Sequence, residues 1–232
     1  MHRRIVIAGA IVAGLSGCSG SGQFTLQRSE SLYRRPPATD DVQVGLGFFS
    51  HEGLGAQRNH RHVDDFTLDA PARITGVRWW GLVDGAGGGD DLTNIDAFSV
   101  GILDSTPEGA PGRLIHSERF TTAETDPTPT GRRGSGVAPA VSTAQEFVHE
   151  IRFAQPVNLG AEATYWLSIR AARLDPQGDN WQWQDGALAN GVSFSIALAS
   201  EEGDWIRIVD TDSAFEILGW RQEIDPAFDE IR

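Results

Sequence analysis

The chain contains no lysine: all 19 of its basic residues are arginine, against 32 aspartate and glutamate residues. Without lysine, Schiff-base chemistry, a lysine nucleophile and a lysine-dependent phosphate loop are excluded. The formal charge of −13 has the wrong sign for binding a phosphate backbone, so we expect no nucleic-acid partner. Only one cysteine is present, Cys18, which excludes an internal disulfide framework and a cysteine-rich zinc site.

The N-terminus predicts an export signal. Residues 2–4 read His-Arg-Arg, and the apolar run IVIAGAIVAG follows at residues 5–14. A basic start with a short apolar run is typical of a secretory signal, because a membrane-spanning helix needs about 20 apolar residues. We therefore expect the protein to leave the cytoplasm.

The apolar run ends in Leu15-Ser16-Gly17-Cys18, which resembles the lipobox of bacterial lipoproteins. The resemblance implies cleavage between Gly17 and Cys18, lipid attachment at Cys18 and acylation of the new amino terminus. Several acyl chains make a durable anchor, because each buried CH₂ contributes about 0.8 kcal/mol. We expect residues 1–17 to be a lipoprotein signal peptide and the lipid to hold the protein in the cell envelope, in the outer membrane where one exists. The alternative is an ordinary signal peptide with an incidental cysteine.

Most of the remaining chain alternates between apolar and polar residues. The same pattern recurs at residues 98–102, 146–153 and 164–171. This period is typical of antiparallel strands with one buried and one wet face. About ten such segments predict an all-β fold, an antiparallel β-sandwich that is jelly-roll-like. The clearest run places four apolar residues on one face: Val192, Phe194, Ile196 and Leu198.

Composition divides the chain into three parts after the signal. Residues 18–41 are rich in Ser, Gly, Arg and Pro and predict a flexible tether. We expect one β-sandwich domain over residues 42–222 and a C-terminal tail over residues 223–232. Within the domain, residues 84–91 (DGAGGGDD) and 121–141 have the composition of long loops, which favours disorder.

Several strand-like segments carry a resemblance to a known family. They are VDDFTL at residues 63–68, ITGVRWWG at 74–81, FSVGI at 98–102, TYWLSI at 164–169 and SAF at 213–215. These segments resemble a β-sandwich of exported bacterial surface proteins of the PEP-CTERM and choice-of-anchor type. That family joins the same domain to interchangeable surface attachments, often a C-terminal sorting tail, whereas this chain ends in DPAFDEIR and has the lipobox instead. The resemblance implies a fold and an attachment, and no catalytic residues come with it.

The segment DNWQWQDG contains the strongest candidate ligand site. Its two tryptophans are separated by one residue, so both indoles share a face if the segment is a strand. Sugar rings stack on indoles, and neighbouring amides and carboxylates bind hydroxyl groups. We predict weak binding of a glycan or another envelope polymer at Trp181, Trp183, Asn180, Gln182 and Asp185. The alternative is a purely structural surface protein in which both indoles are buried.

Metal and cofactor signals are weaker. His60 and His62 lie beside Asp64 and Asp65, a donor set that suits zinc or similar ions. All four come from one short segment, so we favour a solvated loop in which an aspartate accepts backbone N–H bonds. The carboxylates of residues 84–91 could help bind a structural calcium ion, and we expect no other cofactor.

We expect no catalysis. The chain has no Gly-x-Ser-x-Gly elbow, and the spacing of Asp210, Asp212 and Glu216 does not match the paired acids of jelly-roll glucanases. His149 lies on the apolar face of its segment, which favours a core imidazole over a general base. The sequence thus predicts a lipid-anchored, non-catalytic surface module, with a jelly-roll enzyme acting on glycosides as the alternative.

Overall fold

The computed structural model describes residues 29–38, 48–52, 60–84, 92–135, 143–174, 180–187, 190–197 and 204–222. The signal peptide, Cys18, most of loop 84–91 and the C-terminal tail therefore lie outside the described residues. In the described ranges the chain forms fourteen strands, one 3₁₀ turn and no α-helix. No helix in the described part of the chain is long and apolar enough to cross a membrane. The strands are β1 (Glu30–Arg35), β2 (Phe48–Phe49), β3 (His51–Glu52), β4 (His60–Thr67), β5 (Ala72–Asp84), β6 (Ile95–Ser105), β7 (Pro111–Thr121), β8 (Thr128–Ser135), β9 (Thr143–Leu159), β10 (Thr164–Arg173), β11 (Asn180–Trp183), β12 (Val192–Ala197), β13 (Ile206–Val209) and β14 (Phe215–Arg221), with the 3₁₀ turn at Thr122–Thr125.

These strands form two seven-stranded sheets. In the first sheet β5 is central: β9 and then β8 lie on one side, and β14 with β1 and β11 with β2 lie on the other. The second sheet has the order β13-β12-β4-β3-β10-β6-β7, with β4 also paired directly to β10. Nearly all neighbours are antiparallel, and the short pair of β3 with β10 is parallel.

The two sheets pack face to face around one large hydrophobic core, which confirms the predicted all-β sandwich. The chain crosses between the sheets from β4 to β5, β5 to β6 and β9 to β10, as in a jelly roll, whereas β6 with β7 and β8 with β9 form hairpins within one sheet. Aromatic rings of both sheets meet in this core; Trp79 of β5, for example, lies edge-on to Phe98 of β6 at 5.5 Å. A second cluster covers the outer face of the second sheet and consists of Val63, Leu103, Trp166 and Phe194, with Val192 and Trp205 packed against it.

Two boundaries predicted from composition are wrong. The predicted tether extended to residue 41, but Glu30–Arg35 pair with β14 and belong to the sandwich. The predicted loop 121–141 contains the 3₁₀ turn and β8, whose residues Thr128–Ser135 pair with β9. Both segments are polar because they lie at sheet edges, where few side chains reach the core, so composition alone resembles that of a loop.

The end of the sandwich at which β1 begins is called here the N-terminal pole. Glu30 pairs with Gly219 of β14, and Ala72 at the start of β5 pairs with both Arg221 and Leu159. The short connections at residues 68–71, 106–110 and 160–163 lie at this same pole. β1, β5, β7 and β10 therefore run away from the N-terminal pole, and their antiparallel neighbours run towards it.

Candidate functional site

The predicted glycan platform on β11 is not at the surface. Trp181 and Trp183 share one face, as their spacing predicts, but that face points into the core and both side chains are completely buried. The Trp181 ring lies edge-on to Phe98 at 5.3 Å, and the Trp183 indole N–H donates to the Ala214 carbonyl at 3.0 Å. The prediction that these indoles stack against a sugar is therefore wrong, because no ligand reaches them.

The other predicted platform residues do not assemble a surface site either. Gln182 points away from the core yet is completely buried, as is Gln184, and their carboxamides have no hydrogen-bond partner among the described residues. Asp185 is half-buried near Asp64, on the opposite side of the strand from Gln184. For Asn180 only the backbone is described, paired with Asp84.

The densest set of buried charges lies around Arg35, and we call Arg35, Asp64, Asp65 and Asp212 the Arg35 centre. Arg35 is the last residue of β1 and is 3% exposed. Asp64 lies on the inner face of β4, between His62 and the core residue Phe66, and Asp212 comes just before β14. Three distant parts of the chain thus bring one guanidinium and three carboxylates together, with Asp64 and Asp65 on opposite faces of β4.

The Arg35 guanidinium contacts all three carboxylates. Its Nη1 donates to Asp64 and lies 3.1 Å from Asp212 Oδ1, while its Nη2 lies 3.3 Å from Asp65 Oδ1. Nη2 also donates to the Tyr33 hydroxyl at 2.6 Å. Such charge-assisted bonds fix the planar guanidinium in one orientation.

Backbone and side-chain donors complete the centre. The Ser213 N–H and the Asp65 N–H, the latter at 2.7 Å, both donate to Asp64. The Gly191 N–H donates to Asp212 at 3.0 Å, and the amide of Asn190 donates to Asp65 at 2.7 Å. Asp65 is 13% exposed, whereas the side chains of Arg35, Asp64 and Asp212 are at most 3% exposed. The centre therefore meets solvent at Asp65.

Burial and charge oppose each other at this centre. Burial raises the pKa of Asp64 to about 7, although the guanidinium and the Ser213 N–H act to lower it. Burial likewise raises the pKa of Asp185 to about 7, and the nearby Asp64 carboxylate adds to the effect. Burial would lower the pKa of Arg35, but Asp64, Tyr33 and Asp212 raise it above its ordinary value, so the guanidinium stays charged.

The three carboxylates have the spacing of a metal site. One oxygen from each of Asp64, Asp65 and Asp212 lies within 4.8 Å of the others. Arg35 already contacts each of them, however, and supplies positive charge where a cation would bind. The arrangement is therefore chemically complete as an arginine-carboxylate cluster, and its clearest role is to tie β1 to β4 and to the start of β14.

The histidines near this region are structural. The segment His60–Thr67 is strand β4 rather than the solvated loop that we predicted, although Asp64 does accept backbone N–H bonds. His62 is completely buried, and its Nε2 lies 3.1 Å from the Ser213 hydroxyl. Burial lowers the pKa of His62 to about 3, so the ring is neutral.

The interpretation of His149 as a core imidazole is confirmed. Its ring is completely buried and stacks on Trp79 at 5.0 Å, and its Nδ1 lies 3.0 Å from the Thr125 hydroxyl. Burial lowers its pKa to about 3. A neutral ring at such depth does not reach a substrate.

The acids weighed for glycoside cleavage lie on different sides of the first sheet. Asp212 belongs to the Arg35 centre between the sheets. Glu216 points outward from β14 and forms an ion pair of 2.8 Å with Arg78, which also binds Glu150. These carboxylates therefore do not face one another across a common cleft.

Arg35 and Tyr33 are the functional residues that sequence reasoning missed. They lie in a segment whose composition predicts a tether. The carboxylates that Arg35 binds, Asp64 and Asp212, are 29 or more positions away along the chain. The acidic pair Asp64-Asp65 was a visible signal, but nothing local selects one arginine out of 19 as its partner.

One family model, described as a domain of unknown function (DUF7901), matches residues 32–230. The chain belongs to this family. The DUF7901 region begins inside β1 and contains the whole Arg35 centre, so β1 is part of the domain rather than a leader to it. No curated protein matches the chain.

Proposed function

We propose that this DUF7901 protein is a lipoprotein that displays a non-catalytic β-sandwich on the outer side of a bacterial membrane. The observation that carries the proposal is Leu15-Ser16-Gly17-Cys18, directly after a short apolar run and containing the single cysteine of the chain. Diacylation of Cys18 and acylation of its amino group would supply the anchor. The organism's envelope is then the partner, reached through the lipid.

The position of β1 supports a short attachment. Ser29, the first described residue, follows Cys18 by eleven positions, and eleven residues span at most about 40 Å. The sandwich would therefore stay close to the bilayer, with its N-terminal pole nearest the lipid. Cleavage removes Arg3 and Arg4 and changes the formal charge from −13 to −15, which favours repulsion from anionic headgroups.

The buried state of β11 supports an architectural role over sugar binding. Both indoles that would have formed a platform fill the core instead. Asp64 forms an ion pair with Arg35, and Glu216 forms one with Arg78. Each pair joins two strands, so these carboxylates have a structural role. These contacts favour the structural alternative over a glycoside-active enzyme.

Fractionation of cells that express the full chain tests the anchor. We expect the wild-type protein and a Ser21→Ala control in the membrane fraction, with acyl chains on Cys18 detected by mass spectrometry. The Cys18→Ser variant should lose both the acyl mass and the membrane association. Retention of Cys18→Ser in membranes, or an unmodified wild-type N-terminus, would contradict the proposal.

The absence of lysine provides a second, independent readout. A chain cleaved at Cys18 and acylated there has no primary amine left, because no side chain carries one. We expect an amine-reactive dye to leave the purified membrane form unlabelled. One dye per chain would show a free amino terminus and contradict its acylation, and the acyl mass on Cys18 would then distinguish a lipoprotein from an ordinary signal peptide.

A further inference from the structure

The second sheet ends in two free edges, β7 and β13. Within the described part of the chain, β7 pairs with β6 alone and β13 with β12 alone. Edge strands expose backbone donors and acceptors, so they pair with other chains unless charge, proline or a bulge protects them. β7 begins at Pro111 and its register with β6 shifts on both sides of Leu114, whereas β13 has neither a proline nor a register shift and is the less protected edge.

Exposed apolar side chains concentrate on these two edges. Among the described residues five large hydrophobic side chains are exposed, and four of them lie on β7 and β13. The fifth is Leu174, which follows β10. The four are Leu114 (45% exposed), Ile115 (38%), Ile206 (64%) and Val209 (58%).

Leu114 and Val209 are the two ends of one row across the sheet. On the β7 side, Leu114 pairs with Leu103 of β6, Leu103 with Trp166 of β10, and Trp166 with Asp65 of β4. On the β13 side, the register of β12 with β4 continues this row through Val192, which pairs with Val209. The row lies on the outer face, where the second apolar cluster covers its middle.

The strand directions allow this row to continue from one molecule into the next. β7 runs away from the N-terminal pole and β13 runs towards it, so the two edges have opposite directions. An antiparallel contact between β7 of one copy and β13 of another places Leu114 beside Val209. Because each strand of a sheet is rotated by about 20–25° from its neighbour, successive copies are rotated as well as shifted.

Charge complements the apolar contact. Arg113 precedes Leu114, is 84% exposed and lies 3.8 Å from Asp104, and the exposed Asp210 follows Val209 just beyond the end of β13, with a left-handed backbone. Both lie on the pole side of the row, so the contact brings opposite charges to the same end. Apolar pairs and opposite charges across two strands both stabilise an antiparallel contact.

We propose that β7 of one molecule pairs with β13 of a second copy of this chain, which extends the second sheet from copy to copy. The contact is heterologous, so it generates rows rather than closed dimers. β13 has four residues, which makes each contact weak in solution. The lipid anchor that we propose would favour the contact by confining copies to a membrane, which raises their effective concentration; the pairing itself does not need the lipid.

Disulfide trapping in the full chain tests the contact directly. The background variant Cys18→Ser removes the native thiol, so the result does not depend on acylation. In the double variant Leu114→Cys/Val209→Cys the two thiols of one molecule are five strand spacings apart, about 24 Å, too far for an internal disulfide. We expect mild oxidation of the concentrated protein in detergent to give a ladder of dimers, trimers and larger species.

Single variants identify which edges meet. Leu114→Cys alone and Val209→Cys alone should stay monomeric, and the equally exposed Leu174→Cys should do the same. Adding Arg113→Glu to the double variant should slow formation of the ladder several-fold, while Arg34→Glu on β1 should not, with circular dichroism confirming that all variants fold. Dimers from Val209→Cys alone would show β13–β13 pairing, and a double variant that stays monomeric would exclude the contact; either result overturns the proposal.

Discussion

At the scale of single residues, the Arg35 centre shows how one cation organises a buried acidic site. Three carboxylates surround one guanidinium, and burial raises the pKa of Asp64, with a smaller contribution in the same direction from Asp212. The guanidinium contacts rings as well as acids, lying 5.4 Å from the Phe215 ring centre and 5.6 Å from that of Tyr33. Arg35 thus belongs to the core by its packing and to the acidic site by its charge.

Replacing Arg35 with methionine should destabilise the protein strongly. The methionine fills the apolar space but leaves Asp64 and Asp212 buried without their cation, which costs about 3–5 kcal/mol. Urea denaturation measures the loss. The exposed neighbour in Arg34→Met should change stability by less than about 0.5 kcal/mol, and the double variant Arg35→Met/Asp64→Asn should recover part of the loss. Equal stability of the two single variants would contradict the assignment.

Asp185 should make stability depend on pH. Its pKa is raised to about 7 in the folded protein, so its contribution is fully present below about pH 4 and is lost as the pH rises through 7. Asp185→Asn removes this titration. We expect the variant and the wild type to be equally stable at pH 4 and the variant to be more stable at pH 8, as measured by thermal unfolding. The exposed Asp204→Asn serves as the control and should show no such divergence.

At the scale of elements, alternation predicts which strands exist better than it predicts what their faces contact. β10 and β12 match their predicted positions because their apolar residues repeat with the pleat. β11 has the same alternation, but both of its faces are buried, so neither the indoles nor Gln182 can form the predicted glycan platform. β1 escaped prediction because it is a short, polar edge strand whose place is set by β14 and by Arg35, both remote in sequence.

The long pairing of β5 with β9 depends on a close approach at Gly76. The register shifts between Ile74 and Gly76, and a Cβ added to Gly76 would lie 2.1 Å from the Ile151 carbonyl oxygen. Because that neighbour is backbone, it cannot rotate away. Alanine at this position must separate the two central strands.

We therefore expect Gly76→Ala to destabilise the fold by about 2–3 kcal/mol, as measured by urea denaturation. Gly101→Ala is the matched strand control. Its added Cβ would lie 3.2 Å from the end of the flexible, half-exposed Leu114 side chain, which can move. Similar losses for the two variants would show that the Gly76 contact is not specific.

At the scale of the whole molecule, the sequence predicts one sandwich and a polar attachment segment, and the structure moves the boundary between them. The predicted domain began at residue 42, whereas the sandwich starts at Glu30 and the family match at residue 32. This revision halves the length of chain between Cys18 and the first strand. It also identifies which pole would lie nearest the lipid.

Two labelling sites at the ends of β7 test this orientation. Glu108 is exposed at the N-terminal pole, and Ala123 is exposed beyond the other end of the strand, about 36 Å away along its eleven residues. A fluorophore on Glu108→Cys should be quenched more strongly by a lipid-soluble quencher than one on Ala123→Cys. Equal quenching, or stronger quenching at residue 123, would contradict the predicted orientation.

The position of Arg35 at the far end of β1 has a mechanical consequence. In the lipid-anchored protein that we propose, tension from the membrane enters at Glu30 and acts along the axis of β1. It loads the hydrogen bonds between β1 and β14 together rather than peeling them one after another. Before the strand can slide, the guanidinium must also be withdrawn from Asp64 and Asp212, so the far end of β1 adds its own resistance to the pull.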